Sequence, residues 1–314
     1  MRYILLFLLF FLQLNAKELK PTFVYEGSGA VTDLVYSDGK LYAATAEGKV
    51  DIYDTKEQKL IKTIEVPSIK DFTGEEVASK IYSVDILDDK IMIASQGKMG
   101  YRRVHIYADN NLSEIINSSD SYTIAKAKFV DKEHLLIALL SNELILYDIK
   151  NRKAIYREQI SASKFSGFAL NEKKDEVVMV DESGDLKLIG VKDAKVLKEF
   201  KGQNVDNVFQ IDYKNSLIIT AGQDRRCAIY SKDGKIAYHK DGSFLIYGAG
   251  LSPSGKIGAF AKDEHNNVSL FNTLTKSDLY LLGEHKATIS SILFITEDEL
   301  FTASDDTHIN YWKL

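Results

Sequence analysis

The sequence contains little Cys, which forms disulfide crosslinks, and little Pro, which interrupts helices and strands. It is also poor in Trp. It has 1 Cys, 3 Pro and 1 Trp among 314 residues. A single Cys excludes an intramolecular disulfide, and the lack of a C-x-x-C-H motif excludes covalently attached haem. Three Pro form no Pro-rich linker, so the composition gives no boundary between domains. We therefore predict one domain over residues 17–314, stabilised by packing. Cys227 stands where other repeats carry Val, so we expect a buried apolar role for it.

The sequence also lacks a strong excess of one charge and lacks His pairs at the spacing of metal ligands. The chain has 45 acidic and 40 basic side chains, a formal net charge of −5. A mildly acidic protein lacks the basic footprint of a nucleic-acid binder. The 6 His are isolated, with no H-x-x-x-H pair. We expect no nucleic-acid partner, no metal ligands and no cofactor.

One long apolar run is present, and it lies at the N-terminus. Arg2 precedes an apolar stretch from Tyr3 to Leu14, which is too short to span a bilayer as a helix. This pattern is typical of a secretory signal peptide, with cleavage after Ala16. Leu14 stands where a small residue is preferred, so a retained anchor stays open. We expect residues 1–16 to direct export to the periplasm, with no stable membrane insertion after cleavage.

The most informative feature is a short strand motif that occurs seven times. Its last residues are Tyr53, Tyr107, Tyr147, Ile189, Tyr230, Phe271 and Trp312. The successive steps are 54, 40, 42, 41, 41 and 41 residues. A period near forty, with alternating strands and tight turns, is typical of propeller blades. The sequence therefore predicts an all-β, seven-bladed β-propeller.

The last repeat carries polar residues that the others lack. It reads Gly283-x-His285, followed by Ser304-x-Asp306-x-x-Ile309-x-x-Trp312. This pattern resembles the WD40 repeat, with Lys313 in place of the usual Asp. The resemblance covers about residues 22–314 and implies a buried hydrogen-bonded set of His285, Thr302 or Ser304, Asp306 and Trp312, for which we take Ser304 as the hydroxyl. This set explains a Ser, Asp and His grouping better than catalysis does.

The two ends of the chain predict how the ring closes. After Trp312 the seventh repeat has only three strands, which leaves one strand edge unpaired. Residues 22–25 form a spare strand before the first repeat. We expect this spare strand to pair with residues 309–312.

The first step of 54 residues departs from the period. About ten extra residues lie within 66–80, and about three more lie in the hairpin 96–103. We expect both on one rim of blade 2, where aromatic and basic side chains are candidates for binding a partner: Phe72, Lys98, Tyr101, Arg102 and Arg103, with Arg225 and Arg226 of blade 5 on the same rim. Neutral lengthening of a loop is the alternative.

These features predict an exported, monomeric, non-catalytic interaction protein. The length, signal peptide and blade number resemble the NapL-type accessory proteins of bacterial periplasmic nitrate reductase systems. That resemblance implies a nitrate reductase component as the partner and no redox centre in this chain. Two alternatives stay open: a scaffold for envelope assembly, and an enzyme with a metal or quinone in the central channel. The strands that line the channel carry mostly Ala, Ser, Val and single acids such as Asp33 and Asp85, which disfavours a metal site.

Overall fold

Short strands, nearly all of them antiparallel, dominate residues 16–314, the part of the chain that the computed structural model describes. All of the predicted signal peptide except Ala16 lies outside these residues. Strands β1 (Lys17–Leu19) and β2 (Phe23–Glu26) come first and join blades that later residues form. The rest of the described chain forms four-stranded meanders in blades 1 to 6 and a three-stranded meander in blade 7, as the repeat predicts.

Blades 1 to 4 follow one another along the chain, with a small hairpin between the first two. Blade 1 contains β3 (Val31–Ser37), β4 (Lys40–Thr45), β5 (Lys49–Asp54) and β6 (Lys59–Glu65). The hairpin consists of β7 (Ile69–Lys70) and β8 (Glu76–Val77). Blade 2 contains β9 (Ile81–Leu87), β10 (Lys90–Gln96), β11 (Arg102–Ala108) and β12 (Asn111–Ile116). Blade 3 contains β13 (Ile124–Phe129), β14 (His134–Leu139), β15 (Glu143–Asp148) and β16 (Lys153–Gln159). Blade 4 contains β17 (Phe165–Leu170), β18 (Glu176–Asp181), β19 (Leu186–Gly190) and β20 (Val196–Phe200).

Blades 5 to 7 complete the ring. Blade 5 contains β21 (Val208–Lys214), β22 (Leu217–Gly222), β23 (Arg226–Ser231) and β24 (Ala237–Asp241). Blade 6 contains β25 (Ala249–Leu251), β26 (Ile257–Ala261), β27 (Val268–Asn272) and β28 (Asp278–Leu282). Blade 7 contains β29 (Ile289–Phe294), β30 (Glu299–Ser304) and β31 (His308–Lys313). Two 3-10 turns, Lys98–Gly100 and Ser118–Asp120, flank β11 and β12.

The seven innermost strands touch in sequence, and β29 returns to β3, so the sheets form a closed seven-bladed β-propeller. Each blade interface in the described chain contains one apolar cluster. This arrangement follows from strand alternation, because the two faces of every blade pack against different neighbours. Cys227 is fully buried in the cluster between blades 5 and 6, which confirms its apolar role, and this burial raises the pKa of its thiol.

The closing strand pairs as predicted. Strand β2 lies antiparallel to β31, with Val24 opposite Asn310 and Tyr25 opposite Ile309, so blade 7 gains its fourth strand from the N-terminal segment. Sequence reasoning missed β1, which adds in parallel to the outer strand of blade 6. Its Leu19 packs against the cluster between blades 6 and 7.

Side chains bond neighbouring blades together around the channel. An inner strand has a partner strand on one side only, so its other backbone edge needs hydrogen bonds from elsewhere. Three acids accept from main-chain amides of the next blade: Asp33 from Val84 (3.0 Å), Asp85 from Phe129 (2.8 Å) and Asp212 from Leu251 (3.0 Å). Three lysines donate to main-chain carbonyls of an adjacent blade: Lys126 to Phe168 (3.0 Å), Lys128 to Val84 (2.6 Å) and Lys174 to Phe129 (2.8 Å).

Because β2 closes the ring, we expect the stability of the whole propeller to depend on the packing of this strand. Tyr25 is 3% exposed, and its ring lies 5.1 Å from that of Tyr53 and 6.0 Å from that of Phe301. We expect Tyr25→Ala to lower the free energy of unfolding by about 3–5 kcal/mol, because it empties a packed aromatic site. Val24 is 43% exposed on the same strand, and Val24→Ala should cost less than about 1 kcal/mol. Urea unfolding measures both, and equal losses would mean that this strand does not hold the ring closed.

Candidate functional site

The two irregular segments of blade 2 lie on one face of the ring. In an antiparallel meander, the connections between blades and the hairpins between the second and third strands emerge on the same side, here called the upper face. A direct contact joins the two segments: Arg103 Nη2 donates to the carbonyl of Pro67 (2.6 Å) and to Ser79 Oγ (2.8 Å). The prediction that both irregularities share a rim is therefore confirmed.

The longer insertion folds into the hairpin of β7 and β8. Ile69 is buried at its base, and Phe72 is 100% exposed at its tip. Asp71 closes the turn by accepting from the hydroxyl of Thr73 (2.7 Å) and the amide of Glu75 (3.0 Å). The hydrogen bond from the Thr73 hydroxyl, with those from backbone amides, lowers the pKa of Asp71. The turn thus has a defined structure that presents an aromatic ring to solvent.

The shorter irregularity, the hairpin between β10 and β11, presents a second apolar side chain. Met99 is 92% exposed in the turn Lys98–Gly100, with a left-handed φ of 58°. The turn is anchored because the amide of Lys98 donates to Ser118 Oγ (2.9 Å). A Cβ on Gly97 would lie 2.4 Å from this Oγ, so the contact requires glycine at that position.

The structure divides the predicted partner-binding residues into two groups. Phe72, Lys98 and Arg225 are exposed on the upper face, and Tyr101 is half-buried beside them. Three arginines are bonded within the protein, so they are not free side chains of the rim: Arg102, Arg103 and Arg226. Each of these side chains points toward a backbone carbonyl nearby in the fold, and the sequence does not reveal where that carbonyl lies.

Arg102 shows what these internal contacts do. Its guanidinium lies 3.5 Å from the centre of the Tyr82 ring, and it donates to the carbonyl of Ile124. It therefore joins blade 2 to the start of blade 3 beside the channel. Burial lowers the pKa of Arg102, although an arginine keeps its charge at neutral pH.

Sequence reasoning missed other exposed apolar residues of the upper face. Val205 and Phe244 are exposed in the connections from blade 4 to 5 and from blade 5 to 6, and Met99 joins them on blade 2. In the sequence, the only sign of their exposure was that each apolar residue lies in a connection between strands. Leu274, 80% exposed between β27 and β28, lies on the opposite face by the same topology.

The polar set of the last blade is split into two groups, and Thr302 takes the place predicted for Ser304. Thr302 Oγ1 accepts from Trp312 Nε1 (2.8 Å) and lies 2.7 Å from His285 Nε2. Ser304 Oγ donates to Asp306 Oδ1 (2.8 Å). Ser304 ends its strand beside the turn that carries Asp306, whereas Thr302 lies within the strand near the indole of Trp312. Burial lowers the pKa of His285 to about 4.

Two further findings concern the described residues as a whole. Within residues 16–314, no three His, Cys, Asp or Glu side chains converge as ligands for a metal ion. The same part of the chain holds no helix with the length and apolar character needed to cross a membrane.

The shared hydroxyl predicts a difference between Thr302 and Ser304. Thr302→Val keeps the side-chain shape but leaves two buried ring nitrogens without their partner, so we expect a loss of about 2–4 kcal/mol in unfolding free energy. Ser304→Ala removes one part-buried hydrogen bond and should cost less than about 1.5 kcal/mol. Denaturant titration of both variants tests this, and a larger loss for Ser304→Ala would contradict the geometry.

Burial of His285 also predicts weaker folding in mild acid. The unfolded chain binds a proton near pH 6.5, but the folded protein does so only near pH 4, so stability falls as pH drops through this window. At pH 5 the contribution lost is about 2 kcal/mol. His105, whose pKa burial also lowers to about 4, adds a similar effect. Urea midpoints at pH 7.5 and pH 5 should therefore differ less in His285→Gln than in the unchanged protein. An identical difference would exclude this role.

Comparison with known proteins agrees with the fold. No family model matches the chain. The chain is similar to the Ciliary WD repeat-containing protein ctxp80 of Euplotoides octocarinatus, at 22% identity over 302 residues, covering 91% of this chain. The chain spans only 38% of the length of that protein. The seven blades and this similarity together support a WD40-like β-propeller.

Proposed function

We propose that this protein is a non-catalytic scaffold that binds another protein on its upper face, around blade 2. The observation that carries the proposal is Phe72, wholly exposed at the tip of a structured hairpin. Exposing a large aromatic side chain to water has no benefit for folding, whereas aromatic residues dominate the binding energy of protein interfaces. Similarity to a WD repeat-containing protein supports the scaffold role.

The surroundings of Phe72 suit such an interface. Met99 adds a second exposed apolar side chain on blade 2 beside Lys98, and the exposed acids Glu75 and Glu76 adjoin Phe72 in the hairpin. An apolar centre with a charged rim is the usual anatomy of a protein interface. The hairpin is also held in place by Arg103, so little ordering is needed when a partner binds.

We further propose that the protein works in the periplasm as an accessory to a nitrate reductase. The N-terminal apolar run after Arg2 supports export. The length and the seven blades support the resemblance to NapL-type accessory proteins. In this proposal the partner that contacts Phe72 is a component of the reductase.

Substitution at Phe72 tests the proposal. Phe72→Asp places a charge at the centre of the interface and should abolish recovery of the reductase component, because a buried unpaired charge opposes binding. Leu274→Asp makes the same change on the opposite face and should recover as much partner as the unchanged protein. The measurement is crosslinking in the source cells, affinity purification and quantitative mass spectrometry.

The outcomes separate the parts of the proposal. Equal recovery of the partner by both variants would exclude the upper face as the binding surface. Recovery of envelope-assembly proteins in place of the reductase would reject the nitrate reductase role and favour the assembly scaffold. Both variants change exposed side chains, so equal thermal unfolding should show that folding is unaffected.

A further inference from the structure

The central channel is more strongly charged than the sequence led us to expect. Lysines line it as well as acids: Lys126, Lys128, Lys174 and Lys214, with Asp33, Asp85, Glu172 and Asp212. The expectation of Ala, Ser, Val and single acids was therefore wrong for this surface. The reason is that Lys126 and Lys128 alternate within β13 and look like ordinary solvent-facing residues in sequence.

Two cavities occupy the channel, one at each face of the ring. The upper cavity has a volume of about 360 Å³ and is lined by the first residues of the inner strands, including Thr32, Tyr82 and Ser166. The lower cavity, about 350 Å³, is lined by their later residues, including Tyr36 and Lys128, and by Lys174 in the turn after β17. Lys126 and Asp33 line both cavities, so they lie where the two meet.

Lys126 differs from the other channel lysines in its partners. Lys128 pairs with Asp33 at 3.1 Å, and Lys174 lies 3.9 Å from Asp85. Lys126 makes no ion pair within the described chain, and its only hydrogen-bond acceptor there is the carbonyl of Phe168 (3.0 Å). An ammonium group has three donors, so this hydrogen bond leaves part of the capacity of Lys126 unused, and the residue lines both cavities.

The upper cavity carries an excess of positive charge. Arg102, Lys126 and Lys164 line it, and Asp33 is its only acid. Asp33 is already engaged, because it accepts from the amide of Val84 and from Lys128. An anion entering this cavity would therefore meet cations whose charge the lining acids do not balance.

The other lining residues indicate an organic anion. Three aromatic rings form part of the wall: Tyr82, Phe165 and Phe209. The hydroxyls of Thr32 and Ser290, also in the lining, are buried and have no hydrogen-bond partner. The wall thus combines ring surfaces with polar groups, and a cavity of this size suits one small ligand.

We propose that the upper mouth of the channel binds a small organic carboxylate, with Lys126 as the ammonium that pairs with the carboxylate. The aromatic rings of the wall receive the body of the ligand, and Arg102 and Lys164 add to the attraction. This site is separate from the interface around Phe72, so neither proposal depends on the other.

The titration of Lys126 gives the site a pH dependence. Burial, with the charge of Lys128, lowers the pKa of Lys126 to about 8, although Asp33, Asp212 and Asp85 oppose the shift. Lys128 stays protonated through this range, since its carboxylate neighbours raise its pKa above the usual value. Carboxylate binding should therefore weaken as pH rises through about 8, where Lys126 loses its proton.

Benzoate is a suitable probe, with benzamide as its uncharged counterpart. Calorimetry on the protein at pH 7 should show benzoate binding and much weaker binding of benzamide. Lys126→Gln should weaken benzoate binding about tenfold or more, since a hydrogen-bonded charge is lost. Lys174→Gln, at the lower mouth, is the matched control and should bind as the unchanged protein does. Phe72→Asp should also bind benzoate normally, which separates this test from the interface test.

A second measurement does not depend on a variant that must fold. In the unchanged protein, benzoate should slow carbamylation of Lys126 by cyanate, followed by mass spectrometry, whereas benzamide should not. The proposal is overturned if benzoate at about 10 mM shows no binding or binds no better than benzamide. It is also overturned if Lys126→Gln binds benzoate normally or if benzoate leaves the labelling of Lys126 unchanged.

Discussion

The open backbone edge of each inner strand is the constraint on which this ring depends. An inner strand pairs with its own blade on one side, and its other edge faces the channel without a strand partner. Acids from one blade accept from amides of the next, as Asp85 does from Phe129, and lysines donate to carbonyls, as Lys174 does to Phe129. These bonds satisfy backbone groups and fix the spacing of neighbouring blades. The apolar clusters between blades then pack in one arrangement.

The same constraint explains why the channel combines structural and binding chemistry. A charged side chain that serves a backbone group uses only part of its hydrogen-bonding capacity. Where the nearest acid is already engaged, as Asp33 is by Lys128, the remaining capacity of a lysine stays available to solvent or a ligand. Lys126 is in this position. The upper face thus offers two different surfaces, a projecting apolar hairpin on blade 2 and a positively charged channel mouth.

The sequence predicted the features that every blade shares. It did not predict those that depend on a single side-chain contact in the folded protein. The strand alternation and the step of about forty-one residues predicted seven blades, because every blade obeys the same packing rule. Residues 22–25 revealed the closing strand because blade 7 lacked one. The period also located the insertion at 66–80, but the inward direction of Arg103 depends on the carbonyl of Pro67. Likewise, the choice between Thr302 and Ser304 depends on where the indole of Trp312 lies.

The pairing of β2 with β31 sets an order for folding. Blades 1 to 6 each have four strands that are close in sequence, so each meander can form as soon as it has been synthesised. Blade 7 needs β2, which precedes blade 1 in sequence, and three strands that follow blade 6. Strand β2 must therefore wait until β31 has been synthesised, and its edge stays open to incorrect pairing until then. The hydrophobic face of blade 1 that packs against blade 7 is exposed over the same interval.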